Sequence, residues 1–268
     1  MKIRTLARST FGSFFHNWVV LILLIVCVIG LLLMMTSLLG IKAMTSAQNA
    51  AQMQTVVLSM VSGFMTLVSG FGSLLAAWAA ADSLATEMTS GTILAVMARP
   101  VERWEFLVGK FLGVMLLMAA YVLMMFGLSW LLAWIGGERI QSTPWVLLVY
   151  PLVRYAIWAA VAMALATLLR PMVTMGIVVL LQIGAYWIGK SDLEAERLAM
   201  RYLLYGLYWV LPSTNLLSES RFLEITHASL KQTGWLEHVT TLAYGLDYAL
   251  VCLLLAMWSF HYRSLKRD

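Results

Sequence analysis

The chain has 268 residues, of which 62% are hydrophobic and 12% charged, against roughly 25% charged residues in an ordinary soluble domain. That balance excludes a water-soluble globular protein; with about 20 apolar residues needed to cross roughly 30 Å of hydrocarbon, it leaves room for six spans in a single membrane domain, residues 1–268. The net charge of +5 does not imply a nucleic-acid partner, because the basic residues flank apolar runs, where they set orientation, and form no basic patch.

In residues 1–16, Ile3, Leu6, Ala7, Phe11, Phe14 and Phe15 recur at helical spacing with Lys2, Arg4 and Arg8 between them. This predicts an amphipathic helix lying at the membrane surface. The apolar run from Trp18 to Leu39 exceeds the roughly 7 to 15 residues of a signal-peptide core, so it reads as a retained first span, 18–40. A polar link containing Lys42, Gln48, Asn49 and Gln52 leads to a second span, 55–81. There Ser59 and Gly63, Ser62 and Thr66, Thr66 and Gly70, and Ser69 and Ser73 are spaced four apart. Small side chains at that spacing let another helix approach closely, a packing role preferred here over lining a pathway.

A third span covers 106–135, and the turn from Gly136 to Pro144 opens a fourth, 145–169. Arg170 and Pro171 break the pattern before a fifth, 172–189; a sixth, 240–260, ends in His261, Arg263, Lys266 and Arg267. Between the last two, Ser191 and Glu194 form a capping box before a stretch reaching Tyr208, and Pro212 separates it from a second helical stretch ending near Gly234. Tyr202, Tyr205, Tyr208 and Trp209 favour the membrane interface, so two short outer-leaflet helices are expected. Alternating the loops places ten Lys and Arg inside and seven outside, five of the seven in the long 190–239 segment. The expectation is an all-α integral membrane protein of six transmembrane helices, multi-pass in the inner (cytoplasmic) membrane, with both termini cytoplasmic.

Reactive chemistry is missing from this pattern. Cys27 and Cys252 each stand alone in an apolar run, and His16, His227, His238 and His261 form no H-E-x-x-H, so neither a disulfide nor a metal site nor a catalytic residue is indicated. No G-x-x-x-x-G-K-[ST] phosphate loop occurs either, so any ATP hydrolysis belongs to another chain. Two ionisable residues fall inside spans, Arg154 and Asp247, roughly 14 Å and 10 Å beneath the outer boundary at about 1.5 Å per residue. A charge at a span centre costs about 2.5–3.5 kcal/mol. Either the two pair within the bundle, or Asp247 is interfacial and Arg154 snorkels outward. A secondary transporter and a non-transporting membrane scaffold or assembly factor are the alternative readings; two intramembrane charges without a visible inverted repeat weigh against the secondary transporter, which remains the best alternative transport reading.

Between spans two and three the chain runs from Asp82 through Glu87, Gly91-Thr92-Ile93-Leu94, Arg99-Pro100-Val101 and Arg103 to Gly109-Lys110. Physically this is a short helix with polar residues upstream, an apolar face of Ile93, Leu94 and Met97, and a stop at Arg99-Pro100. An exposed apolar face of that kind invites a partner. The order of these residues resembles the type-2 exporter (ABC-2 type) family of ABC transporter permeases, with Ile93 where that family usually has Leu. The resemblance implies a cytosolic coupling helix, with Glu87, Gly91, Thr92, Ile93, Leu94, Arg99 and Pro100 facing a separate ABC ATPase. It also implies two ATPase copies, a second permease chain, identical or closely related, and a surrounding of membrane lipid. No cofactor would bind this chain; ATP and Mg would be used by the partner ATPase.

Overall fold

The computed structural model describes residues 2–14, 50–89, 102–136, 144–188 and 235–262, together with 22, 25, 26, 28–30, 32, 33, 36, 211, 212 and 217. Six helices carry it: α1 (Lys2–Phe14), α2 (Ala50–Thr89), α3 (Arg103–Gly136), α4 (Pro144–Ala166), α5 (Pro171–Ile188) and α6 (Trp235–Tyr262). Among the described residues there is no strand, and the described positions of 22–36 are helical. The outer-leaflet helices expected within 190–234 and most of the first span lie outside the described residues.

The apolar runs locate α3 to α6 within a few residues, because burial in hydrocarbon and helix formation select the same positions there. At α2 the two part. The helix extends past the expected 55–81 at both ends, since neither flanking polar stretch contains a Gly or Pro to stop it. The end of α4 falls short of 169, at Ala166, where Leu168 N and Leu169 N both bond the Leu165 carbonyl, at 3.0 and 2.9 Å. Pro171 then starts α5 at a position where its missing N–H costs nothing, and Thr174 N closes on the Arg170 carbonyl at 2.9 Å.

Among the described residues, four stretches are long and apolar enough to cross a membrane, Thr66–Glu87, Arg103–Leu128, Leu148–Ala166 and His238–Tyr262, while Pro171–Tyr186 is apolar but shorter. Their contacts fix their directions. Glu87 pairs with Lys110 and Val68 with Tyr121, so α2 and α3 are antiparallel. Tyr150 bonds His238 and Thr167 bonds Ser259, so α4 and α6 run side by side in one direction. Thus α2, α4 and α6 end where α3 begins.

The core is built by size matching. α2 presents Ala76, Ala77, Ala80 and Leu84 to a buried wall of Tyr155, Trp158, Ala162 and Met163 on α4, a small-against-large fit that lets backbones approach. Gly72 marks a close approach: a Cβ there would lie 2.3 Å from the Tyr155 hydroxyl and 2.7 Å from the Tyr121 ring. α1 has a protein seat as well as the expected polar face. Ala7 and Thr10 are buried against Gly113 of α3, where a Cβ would come within 2.6 Å of Thr10, while Arg4 and Arg8 are exposed.

Candidate functional site

At the end of the bundle where α2 stops and α3 starts, charged and aromatic side chains form a continuous junction. α3 opens on Glu102, whose N–H donates to the Glu105 carboxylate at 3.1 Å and whose carbonyl accepts the first helical bond from Phe106 N at 3.2 Å. This is the returning half of a capping box, with the Glu105 charge well placed on the positive end of the helix. The Trp104 indole N–H donates to the Glu102 carboxylate.

Held in this way, Arg103 reaches α6. Its Nη1 donates to the carbonyls of Phe260 at 3.2 Å and His261 at 2.7 Å, capping the C-terminal turn of that helix, where a cation is favoured. One turn on, Phe106 stacks on Phe260, with ring centroids 6.0 Å apart. A further turn on, Lys110 forms an ion pair with Glu87 of α2 and lies 5.8 Å from the Phe106 ring centroid. The Lys110 side chain is 8% exposed and that of Glu87 23%, and Glu87 Oε2 has no hydrogen-bond partner. The junction therefore ties α2, α3 and α6 together.

Of the residues expected at the coupling surface, Glu87 is in this junction, whereas Gly91, Thr92, Ile93, Leu94, Arg99 and Pro100 lie outside the described residues. Sequence reading placed Arg103 and Lys110 in the same motif without finding their partners. The capping acid Glu105, three residues after Glu102, was a usable signal for the start of α3.

The two intramembrane charges are not brought together. Arg154 Nη1 donates to Ser69 Oγ of α2 at 2.9 Å, and Asp247 is exposed on α6. The reason is register: Arg154 falls on the face of α4 that packs on α2, and α6 turns Asp247 outward among Leu246, Leu250 and Leu254. One turn along α2 from Ser69, Ser73 donates to Gln182 Oε1 of α5 at 3.3 Å. The small-residue spacing read as packing thus also carries hydroxyls that hold polar groups of two neighbouring helices.

Long apolar helices with polar side chains turned into the bundle define a multi-pass membrane protein. Residues 4–265 match the family model described as ABC-2 family transporter protein, and the chain belongs to that family. It is therefore a membrane permease of an ABC transporter, a transport component of a family that works with ABC ATPase partners. No curated protein matches the chain.

Proposed function

We propose that this chain is the permease half of an ATP-driven exporter, moving substrate outward while a separate ATPase supplies the work through residues 87–100. In this reading the permease has six spans with both termini cytoplasmic in the inner membrane. Two permease chains, identical or closely related, assemble with two ATPases that bind ATP and Mg. Gly91, Thr92, Ile93 and Leu94 meet the ATPase, flanked by Glu87 and by Arg99-Pro100.

The observation that supports this is the junction of Glu87, Lys110, Phe106, Phe260 and Arg103. A segment that receives force needs both of its ends fixed to the parts it moves. Here one end is tied by Glu87 to α3, and the other by Arg103 to α6. Without such ties a displacement would be absorbed by local rotation of the backbone and would not reach the spans.

The test is copurification followed by ATP turnover. The solubilised permease should bring down an ATPase bearing a phosphate-loop motif, and Gly91→Trp or Leu94→Asp should uncouple its turnover while leaving the permease folded. Recovery of no such ATPase defeats the exporter reading. Turnover unchanged by both substitutions defeats the coupling assignment alone.

A further inference from the structure

Among the described residues five buried side-chain atoms lack a hydrogen-bond partner, Glu87 Oε2, Arg154 Nε, Trp158 Nε1, Thr174 Oγ1 and Gln182 Nε2, and two of them, on Arg154 and Gln182, belong to side chains held by neighbouring serines of α2. Ser69 and Ser73 are each 2% exposed and lie one turn apart on α2, about 6 Å along the axis. Ser69 Oγ accepts from Arg154 Nη1 at 2.9 Å. Ser73 Oγ shares its one proton between the Gly70 carbonyl at 2.8 Å and, more weakly, Gln182 Oε1 at 3.3 Å. Buried Arg154 Nε and Gln182 Nε2 have no hydrogen-bond partner.

Arg154 sits midway along α4, roughly 18 Å from the Ala166 end at about 1.5 Å per residue. A guanidinium at such a depth costs about 2.5–3.5 kcal/mol unless paired or wet. A serine hydroxyl satisfies one N–H but brings no opposite charge. Among the described residues no carboxylate pairs with Arg154. The missing complement is an anion, and a planar fork of N–H donors matches the oxygens of a phosphate or carboxylate.

The surroundings say what kind of anion. Gln182 supplies a second free N–H, and on its own helix Ile183 beside it and Tyr186 one turn on are each 49% exposed, so largely apolar surface flanks the polar cluster. Beside Ser69, a Cβ at Gly70 would meet nothing within 4 Å, leaving open space at that turn of α2. A small soluble anion would gain nothing from this apolar flank. A molecule with a charged head and an apolar tail would use both parts.

We propose that Arg154 and Gln182, held by Ser69 and Ser73, form an intramembrane site for the phosphate or carboxylate head of an anionic amphiphile. As the site of the exported cargo it rests on the permease reading. As a binding site it stands on the geometry alone.

The test uses the full chain in dodecyl maltoside without any ATPase, so its outcome is independent of ATPase copurification. Scintillation-proximity binding of tritiated dodecyl phosphate is measured with unlabelled competitors. Dodecyl phosphate should compete, while dodecylphosphocholine, with the same tail and no net charge, and inorganic phosphate, with no tail, should compete at least about tenfold more weakly. Arg154→Gln should weaken binding about tenfold or more and Gln182→Leu about threefold to fivefold, with Asp247→Asn unchanged. Should Arg154→Gln fail to fold, Arg154→Lys, which keeps the charge and loses the fork, takes its place and should still weaken binding.

Equal binding by wild type, Gln182→Leu and the Arg154 variant overturns the site. Equal competition by dodecylphosphocholine overturns the anionic head, the outcome expected if only water hydrates Arg154. Competition by inorganic phosphate as strong as by dodecyl phosphate overturns the amphiphile in favour of a soluble anion.

Discussion

Lys110, two turns inside α3, forms its ion pair with Glu87 in the last turns of α2, and the same ammonium lies 5.8 Å from the Phe106 ring centroid. A buried pair adds little over an apolar pair of equal volume, but removing one partner strands the other charge, at about 3–5 kcal/mol when fully buried. Glu87 keeps some solvent. Lys110→Met should therefore lower unfolding stability by about 2 kcal/mol and Glu87→Gln by less, with the double substitution recovering part of the loss. Thermal unfolding of the four proteins in detergent gives the coupling energy; simple additivity would contradict the pairing.

Arg103 is the only described tie from the first turn of α3 to the carbonyls that end α6. Arg103→Gln removes a charge-assisted bond at a partly solvated position, worth about 1 kcal/mol. Amide hydrogen exchange over residues 257–262 should accelerate roughly fivefold, the same free energy expressed as a ratio of opening constants. Exchange at the other end of α6, near Thr240 and Thr241, should stay as it was. Acceleration along the whole helix would mean that Arg103 supports the bundle in general and not that cap.

Gly72 offers a sharper steric test. A methyl group there collides with both Tyr155 and Tyr121, whose rings are buried and pack edge to face, with centroids 6.1 Å apart. Neither ring can withdraw cheaply, since Tyr121 also donates to the Val68 carbonyl at 2.9 Å. Gly72→Ala should cost about 1–3 kcal/mol, whereas Gly70→Ala, facing open space, should be neutral or slightly stabilising. Equal melting temperatures for the two would count against the closeness of α2 and α4.

The placement of Arg154 and Asp247 leads to unequal effects. Ser69→Ala leaves the Arg154 guanidinium without its hydroxyl partner, at about 1–2 kcal/mol. Asp247→Asn on an exposed face should change stability by less than about 0.5 kcal/mol. Thermal unfolding in detergent separates these outcomes from an Arg154–Asp247 pair, which would make Asp247→Asn the costlier change.

Much of the helix layout was legible in the sequence because hydropathy and span length are properties of contiguous residues. The limits of α3 and α5 follow from apolar runs bounded by Pro and polar residues. α2 shows where this fails: hydropathy marks which residues leave water, not where backbone hydrogen bonding stops, so polar residues 82–89 stayed helical unnoticed. Partners across helices were less visible still. For Arg154 the sequence offered two alternatives, Asp247 or snorkelling outward, yet its partner is a hydroxyl 85 residues away, chosen by the rotation of α2 against α4. In the same way, Glu87 and Lys110 were both singled out by resemblance, while their meeting depends on antiparallel register, which no local pattern encodes.

The tight turn of residues 167–170 bears on how the chain is made as well as how it stands. α4 and α5 are joined so closely, by Leu165 carbonyl bonds on one side and Pro171 on the other, that they form a single helical hairpin. A link of four residues, 167–170, is too short to leave one helix in lipid and the other in water, so the two enter the membrane together. The mostly apolar surface of α5 then offsets the penalty of carrying the Arg154 guanidinium inward, and Arg170 at the hairpin tip opposes its passage to the far side. The residue that is hardest to place in a membrane is thus delivered alongside the helix that is easiest to place there.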